Sequence, residues 1–426
     1  MSILIMFAVL FILMFLGAEI FLSMGIASAV YLLVSGNAPL TLIATSMING
    51  ITNTSLLAIP FFILAGELMN ISGMTLKLVR FSRFFIGKWK GGLSYTCVVV
   101  NIIAAGVSGS APADCSAVSS VMLPIMKKEK YPEDFSAAIN ASAATIGPII
   151  PPSIPMVFIG LLTNLSIGRL FLGGVIPGLL MGGGLMLVCY WKVKKMNLGI
   201  YEQERSFKIF LEILMDSFLA LIAPLIIILG VITGLVTITE VAILATAYVL
   251  IIGVFFYKTI AIKDILNIFK NSVLFSSSIM ALFSIAFIFS WFIAVEGIGK
   301  QLGVYILSMN MSPLVFLIFV NFLWIFLGTI VDAIVSMIIF VPVLLPIVIA
   351  LGIDPYFFSV LTVVNLMIGL LTPPVGGLLY LEAKIANVPV DRLMKEIIPF
   401  ILVLFAVVTL MIFIPPIVTF IPNLLF

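Results

Sequence analysis

The stretch ATIGPIIPPSIPM, Ala144 to Met156, interrupts an apolar run that otherwise predicts a membrane helix. It holds four prolines and one glycine within thirteen residues. A proline inside a helix costs about 3 kcal/mol, because it lacks a backbone N–H and clashes with the preceding turn. Inside a membrane, broken backbone occurs only where protein or a water-filled cavity satisfies it. The stretch therefore predicts an interrupted helix at an internal binding cavity, with a simple packing kink as the alternative.

The composition is that of an integral membrane protein. Of 426 residues, 63% are hydrophobic and 9% are charged, whereas soluble domains carry about 25% charged residues. Apolar runs long enough for helical spans recur along the chain, which excludes the short alternating strands of an outer-membrane barrel. The first residues lack a charged start and a cleavage site, so residues 5–34 are predicted to form the first span.

Residue types on which many enzymes and metal sites depend are absent or scattered. The sequence has no histidine, which excludes histidine-ligated metals and histidine-dependent catalysis. Cys97, Cys115 and Cys189 lie in or next to apolar runs and show no metal-ligand spacing. We therefore predict a protein that is not an enzyme and that uses neither a cofactor nor a transition metal.

Lysine and arginine fall in five clusters, which mark cytoplasmic loops. If residues 91–126 crossed the membrane once, the first two clusters would lie on opposite faces. A re-entrant hairpin that turns at Gly106–Asp114 keeps both inside, and two short full spans are the alternative. The same reasoning predicts a second hairpin over residues 304–351, entering from the outside. The clusters are Lys77, Arg80, Arg83, Lys88 and Lys90; Lys127, Lys128 and Lys130; Lys192, Lys194, Lys195, Arg205 and Lys208; Lys258, Lys263 and Lys270; and Lys384, Arg392 and Lys395.

The sequence repeats itself at a constant offset of 222 residues. LPIM at Leu123–Met126 matches LPIV at Leu345–Val348, and the double proline Pro151-Pro152 matches Pro373-Pro374. The charge clusters give the two copies opposite orientation. An inverted repeat with paired interrupted helices is the pattern that points to the binding site of a secondary transporter.

We therefore predict an all-α polytopic membrane protein with about nine transmembrane helices, two re-entrant hairpins and interrupted helices. Its predicted units follow the chain in five parts. These are scaffold helices of the first repeat (1–90), the first hairpin and broken helix of a transport domain (91–162), scaffold and connecting arm helices (163–303), the second hairpin and broken helix (304–383), and a C-terminal scaffold helix (384–426).

The hairpin tips and helix breaks supply oxygen atoms and helix ends. Hydroxyl groups and unwound carbonyls suit sodium, a hard cation, while helix N-termini suit a substrate carboxylate. The first tip offers Ser108 and Ser110, and the second offers Gly328, Thr329 and Asp332. The breaks add Thr145, Gly147, Pro148, Asn365, Gly369, Thr372, Pro373 and Gly376.

Asp114 and Asp332 are the acidic residues nearest the tips. A carboxylate at membrane depth is a functional candidate. The alternative is that each caps the helix that follows it, and the two roles are compatible. Four other acids are weaker candidates, because they lie near span ends, charged partners or a helix start: Glu19, Glu67, Glu240 and Glu382.

Five segments resemble the large membrane subunit of tripartite ATP-independent periplasmic (TRAP) transporters, and the similarity covers essentially the whole chain. They are GVSGSAPADCSAVSSVMLPIM, ATIGPIIPPSIPM, IPFFILAGELMNISGM, GLVTITEVA and LTPPVGGLLY. The resemblance implies a sodium-driven importer of the bacterial inner membrane with an elevator movement. It also implies two partners, a small membrane subunit and a periplasmic binding protein. The binding protein delivers an organic acid, such as a C4-dicarboxylate, sialic acid, a sugar acid or a keto acid.

The resemblance further implies sodium sites at the tips and breaks, here Ser108, Gly109, Ser110, Gly147, Gly328, Asp332, Gly369 and Thr372. The predicted substrate-binding residues are Asp114, Thr145, Pro148, Asn365, Pro373 and Gly376. Because the chain begins at its first span, we expect the small subunit to be a separate protein. The alternative function is a stand-alone sodium/anion symporter or an anion exporter of related architecture.

Overall fold

The computed structural model describes residues 2–196, 198 and 206–426, so Arg205 of the third basic cluster lies outside the described residues. The described part of the chain is helical and contains no strand. The helices are α1 Ser2–Phe15, α2 Ile20–Ser35, α3 Thr41–Ile51, α4 Ala58–Ile71, α5 Met74–Ile86, α6 Gly92–Ser108, α7 Ala111–Lys128, α8 Glu133–Ala144, α9 Ile154–Thr163, α10 Ile167–Met196, α11 Phe207–Thr233, α12 Ile238–Ile251, α13 Ile262–Val295, α14 Ile298–Ser308, α15 Pro313–Ile330, α16 Ala333–Ala350, α17 Pro355–Gly369, α18 Gly377–Ala386, α19 Val390–Phe413 and α20 Pro416–Leu425.

The helix bounds follow the predicted repeat. Adding 222 to the bounds of α7, 111 and 128, gives 333 and 350, which are the bounds of α16. Adding 222 to residue 133, the first of α8, gives 355, the first residue of α17. The repeat is therefore confirmed in the order and length of the helices.

Each predicted hairpin is present as two helices joined by a tight turn. In the first, α6 and α7 meet at Gly109 and Ser110, inside the predicted turn. Gly109 has a φ of +60°, which glycine adopts without steric cost. In the second, α15 and α16 meet at Val331 and Asp332.

Both helix breaks lie where the double prolines predict them. Residues 145–153 separate α8 from α9, and residues 370–376 separate α17 from α18. The broken backbone is satisfied by local side chains: Thr145 donates its hydroxyl to the carbonyl of Ser142 at 2.7 Å. Thr372 does the same to the carbonyl of Gly369 at 2.8 Å.

The prediction of one continuous first span over residues 5–34 is wrong. The structure has two helices there, α1 and α2, which pack against each other. The chain leaves α1 at Gly17, whose φ of +81° is left-handed and cannot continue a right-handed helix. The single glycine carries this turn, and no proline accompanies it.

By length and apolar composition, eight helices of the described residues could cross a membrane. They are α4 with the short turn before it, α10, α11, α12 with the turn after it, α13, α15, α16 and α19. This set includes both helices of the second hairpin. The predicted count of nine spans treats each broken pair, α8 with α9 and α17 with α18, as one crossing. The helices of these pairs are too short to be among the eight, so the count of nine stays a prediction.

The hairpins and broken helices share the largest hydrophobic core. Two further helices, α10 and α19, pack against α8 and α17. The predicted units place α10 and α19 in scaffold segments, and this division stays a prediction. Smaller cores join α1 and α2 to α13, and α4 to α11 and α12.

The second hairpin and its broken helix touch through two glycines. A Cβ at Gly369 would lie 2.7 Å from the Cα of Gly328, closer than real Cβ atoms approach backbone. We expect Gly369→Ala to push the two elements apart and to lower the free energy of unfolding by about 1–3 kcal/mol. Thermal unfolding in detergent, followed by tryptophan fluorescence, measures this.

Gly183 in α10 is the matched control, because a Cβ there would meet no atom within 4 Å. Gly183→Ala should leave the melting temperature unchanged or raise it slightly, since alanine favours the helix. Equal melting temperatures for the two variants would contradict the close packing of Gly369.

Candidate functional site

The two hairpin tips and the breaks border one partly open cavity of about 130 Å³. Its lining includes Ser110 of the first tip, Pro148 of the first break and Asp332 of the second tip. The remaining lining residues are Gly109, Ala111, Pro112, Ile154, Pro155, Phe275, Ile279, Ala333, Ile334, Met367 and Leu370. Pockets that enclose small molecules have about 300–1,000 Å³. The cavity is therefore too small to enclose an organic acid in this arrangement.

Three helices begin at this cavity. The first residues of α7, α9 and α16 all line it, namely Ala111, Ile154 and Ala333. Backbone N–H groups at a helix N-terminus lack partners within the helix and carry partial positive charge. No lysine or arginine is among the described lining residues. The cavity therefore favours an anion through helix ends.

Long helix α13 closes the cavity on one side. Its residues Phe275 and Ile279 face the two hairpin tips. This helix belongs to the part of the chain, residues 163–303, that is predicted to supply scaffold and connecting arm helices. An apolar wall next to a ring of helix ends excludes water from one face of the cavity.

A buried carboxylate lies behind the first tip. Asp114 is 1% exposed, and its Oδ1 accepts a hydrogen bond of 2.6 Å from the Ser108 hydroxyl. Its Oδ2 has no hydrogen-bond partner among the described residues. Gly147 lies against this oxygen, so closely that a Cβ at Gly147 would collide with it. An unsatisfied buried carboxylate oxygen is costly, and a bound cation would offset that cost.

Asp114 does not cap α7, because its carboxylate is directed to Ser108. Asp332 does cap: its Oδ1 accepts from the backbone N–H of Ile334 at 2.9 Å. The capping alternative is thus confirmed for Asp332 and wrong for Asp114. Asp332 also borders the cavity, so the cap leaves its carboxylate available to a ligand.

The tips are tied to the breaks by backbone hydrogen bonds. The N–H of Ile154 donates to the carbonyl of Gly109 at 3.4 Å. In the second repeat, the N–H of Val375 donates to the carbonyl of Thr329 at 3.0 Å. Each hairpin therefore holds the break beside it in position.

The structure brings together some predicted residues and separates others. Ser108, Asp114 and Gly147 form one cluster, while Gly328, Gly369 and Thr372 form another beside the second break. Of the predicted residues, only Gly109, Ser110, Pro148 and Asp332 line the cavity. Asn365, predicted to bind substrate, is fully buried and donates a hydrogen bond to Asn321 of α15 instead.

Glu382, a weak candidate from the sequence, occupies a buried polar network. We expected it near a span end beside Lys384, but its side chain is fully buried. It contacts Cys115 and Ser119 of α7, more than 260 positions earlier in the chain. Two asparagines within apolar helices, Asn101 and Asn140, could have indicated a buried polar partner. Asn101 donates a hydrogen bond to Asn140, which in turn donates to Glu382.

Of the other three weak acidic candidates, Glu240 and Glu67 make hydrogen bonds within the protein, and Glu19 makes no side-chain cap bond. Glu240 and Thr237 form a capping box at the start of α12, which confirms the predicted cap. Glu67 accepts a hydrogen bond of 2.7 Å from Ser272 of α13. Glu19 stands before α2 without a side-chain cap bond.

Residues 7–417 match the family described as "Tripartite ATP-independent periplasmic transporter, DctM component". The chain is 34% identical over 415 residues to the sialic acid TRAP transporter large permease protein SiaM of Vibrio cholerae, covering 97% of this chain and 96% of SiaM. It is 32% identical over 439 residues to the C4-dicarboxylate TRAP transporter large permease protein DctM of Rhodobacter capsulatus, covering 100% of both. It is 33% identical over 377 residues to the 2,3-diketo-L-gulonate TRAP transporter large permease protein YiaN of Escherichia coli, covering 88% of both.

Two solved structures share the fold at low identity. The YdaH transporter of Alcanivorax borkumensis has a TM-score of 0.65 at 13% identity, covering 88% of both chains. MtrF of Neisseria gonorrhoeae has a TM-score of 0.57 at 13% identity, covering 87% of this chain and 83% of MtrF. The chain belongs to the TRAP transporters as a large permease, a multi-pass protein of the bacterial inner membrane that is a transporter subunit rather than an enzyme.

Proposed function

We propose that this permease imports an organic acid with sodium as the coupling ion, and that it does so by an elevator movement. The observation that carries the proposal is the meeting of two hairpins with two helix breaks at one cavity. Such a meeting of tips and breaks supplies both ion ligands and substrate contacts within one unit. A transporter built in this way exposes the same cavity to each side in turn.

The substrate class follows from the ends of three helices at the cavity. Partial positive charge from α7, α9 and α16 suits a carboxylate. The relatives named above are described as permeases for sialic acid, a C4-dicarboxylate and a diketo-gulonate. A substrate with a carboxylate and polar oxygens therefore fits this chain as well.

Sodium is the proposed ion because each tip offers oxygen ligands and one carboxylate. At the first tip, the free Oδ2 of Asp114 lies against Gly147, while its Oδ1 accepts from the Ser108 hydroxyl. At the second, Asp332 stands near the break that holds Gly369 and Thr372. Grouping Asp114 with the sodium ligands revises its predicted role in substrate binding.

The elevator movement is supported by the size of the cavity and by its wall. At about 130 Å³ the cavity cannot enclose an organic acid, and Phe275 and Ile279 of α13 line one side of it. Displacement of the hairpin unit along α13 would uncover the tips. We infer that a small membrane subunit braces the scaffold and that a periplasmic binding protein delivers the substrate, as the family assignment implies. That assignment favours this function over a stand-alone symporter or exporter.

Uptake into proteoliposomes tests the proposal. The permease would be reconstituted with the small subunit and the binding protein from the same genome. Sialic acid, succinate, a sugar acid and a keto acid would each be offered with and without an inward sodium gradient. We expect one class to accumulate only with the gradient and only with the binding protein. Accumulation that ignores sodium, or that needs neither partner, would contradict the proposal.

Two substitutions of Asp332 separate its role as the cap of α16 from the role of its negative charge in binding sodium. Asparagine caps a helix about as well as aspartate, so Asp332→Asn should keep the melting temperature and raise the sodium concentration for half-maximal uptake about tenfold or more. Asp332→Ala removes the cap as well and should cost about 1 kcal/mol of stability. Uptake against sodium concentration and thermal unfolding are the two measurements.

The matched control is Asp354, which caps α17 through Tyr356 at 2.7 Å and does not line the cavity. Asp354→Asn should change neither property. A sodium response that is the same in all three variants as in the unaltered protein would remove Asp332 from the ion site.

Thr372→Val tests the second break. Valine keeps the branched shape but lacks the hydroxyl that now bonds the carbonyl of Gly369 at 2.8 Å. We expect weaker sodium activation with little loss of expression, because the lost bond is one of several that hold the break. Thr409→Val in α19 is the control, since its hydroxyl makes the same kind of bond to the carbonyl of Phe405 at 2.8 Å in an exposed position. Equal sodium activation in the two variants would exclude Thr372 as a ligand.

A further inference from the structure

A second buried carboxylate lies away from the cavity, between the two repeats. Glu382 belongs to α18 of the second repeat and is fully buried. Its Oε2 accepts from the Cys115 thiol at 2.9 Å, and the Ser119 hydroxyl lies 2.6 Å from both carboxylate oxygens. The Asn140 amide donates to Oε2 at 3.2 Å. The first repeat thus surrounds this carboxylate with three neutral donors.

The orientation of Asn140 decides which ligand the group can take. Its Nδ2 also reaches the Ser119 hydroxyl at 2.7 Å and the carbonyl of Cys115 at 2.9 Å. Its Oδ1 points the other way and accepts from Asn101 at 3.0 Å. A sodium ion beside Glu382 would need the Ser119 hydroxyl and the Cys115 carbonyl as ligands. Both oxygens already accept hydrogen bonds from the Asn140 amide. A proton, which needs no coordination shell, is the cation that fits.

No cation balances the Glu382 charge among the described residues. Of the charged residues on the elements packed around α18, Lys127 is paired with Glu133 at 2.7 Å, and Glu396 with Lys192. Lys384, Asp391, Arg392 and Lys395 are exposed. Asp114, next to Cys115 in α7, is directed to Ser108. The other titratable groups near the network are the thiols of Cys97 and Cys115. A buried carboxylate with only neutral partners is costly at membrane depth, and protonation removes that cost.

A second cavity gives this group a route to water. It has about 410 Å³ and is lined by Ser119, Lys127, Tyr131 and Glu133, among others. Lys127 belongs to a basic cluster that marks the cytoplasmic side. Burial raises the pKa of Tyr131 to about 12, so its hydroxyl stays neutral there. The Ser119 hydroxyl is shared by the cavity and the carboxylate.

We propose that Glu382 is a proton-binding site of the hairpin unit, in exchange with the cytoplasmic side through Ser119. The carboxylate takes one proton and becomes a neutral acid. Ser119 gives its own proton to the carboxylate and takes one from a hydronium ion in the cavity, which becomes water, so the protonation state of Ser119 is unchanged. This adds proton binding, at a separate position, to the sodium-coupled import proposed above.

Infrared difference spectroscopy on the purified protein tests the site directly. A rise in pH should remove the C=O stretch of a protonated carboxylic acid from the spectrum. We expect one such band to be absent in Glu382→Gln and present in Glu396→Gln, the control carboxyl, whose partner is Lys192. An unchanged band in Glu382→Gln would overturn the proposal. The measurement needs neither substrate nor a sodium gradient, so it stands even if the import proposal fails.

Two further variants test the surroundings without removing the carboxyl group. In Cys115→Ala the band should keep its amplitude but change frequency, because the carboxyl loses one hydrogen-bond partner. In Ser119→Ala it should keep its amplitude but appear about tenfold more slowly after a rapid acidification. Ser120→Ala is the matched control for the rate, because Ser120 lines the same cavity and bonds only the carbonyl of Ala117. Equal rates in the two serine variants would contradict the route through Ser119, and an unshifted band in Cys115→Ala would contradict the assignment to Glu382.

Discussion

The structure depends on one constraint, that a helix broken inside a membrane must find partners for its backbone within the protein. Here each partner is a hairpin tip. Gly109 accepts from Ile154 in the first repeat, and Thr329 accepts from Val375 in the second. Glycine permits this approach: a Cβ at Gly109 would lie 2.7 Å from the carbonyl oxygen of Pro152. Each hairpin and the break beside it therefore stabilise each other through the backbone.

The same constraint produces the chemistry of the cavity. A helix that restarts inside the protein directs the N–H groups of its first turn inward. Three such restarts, at α7, α9 and α16, meet around one space. Some of these groups already have partners, since Ile154 donates to the carbonyl of Gly109 and Ile334 donates to the Asp332 carboxylate. The helix ends place partial positive charge at the cavity without a lysine or arginine, whose burial would be far more expensive.

The sequence predicts features that local chemistry determines. Prolines located both breaks, and the small residues between Gly106 and Asp114 located the first turn. The opposite orientation that the charge clusters predict for the two repeats stays a prediction. The local pattern did not predict the turn at Gly17, because a single glycine follows the end of α1 and no proline marks it. It also failed for Glu382, whose partner Ser119 is 263 residues away. Such a contact arises from the packing of α18 on α7, which no local pattern of residues encodes.

The two repeats share a backbone but differ in their buried polar groups. Subtracting 222 from 332 gives Ser110, which precedes α7 as Asp332 precedes α16, but only Asp332 caps its helix with a side-chain hydrogen bond. Subtracting 222 from 382 gives Gly160, where a Cβ would lie 2.8 Å from the Ile167 side chain. A longer side chain at Gly160 would displace Ile167, so the first repeat has no room for a buried acid at this position without repacking. The buried carboxylate therefore distinguishes the second repeat from the first, although the two share their helix order.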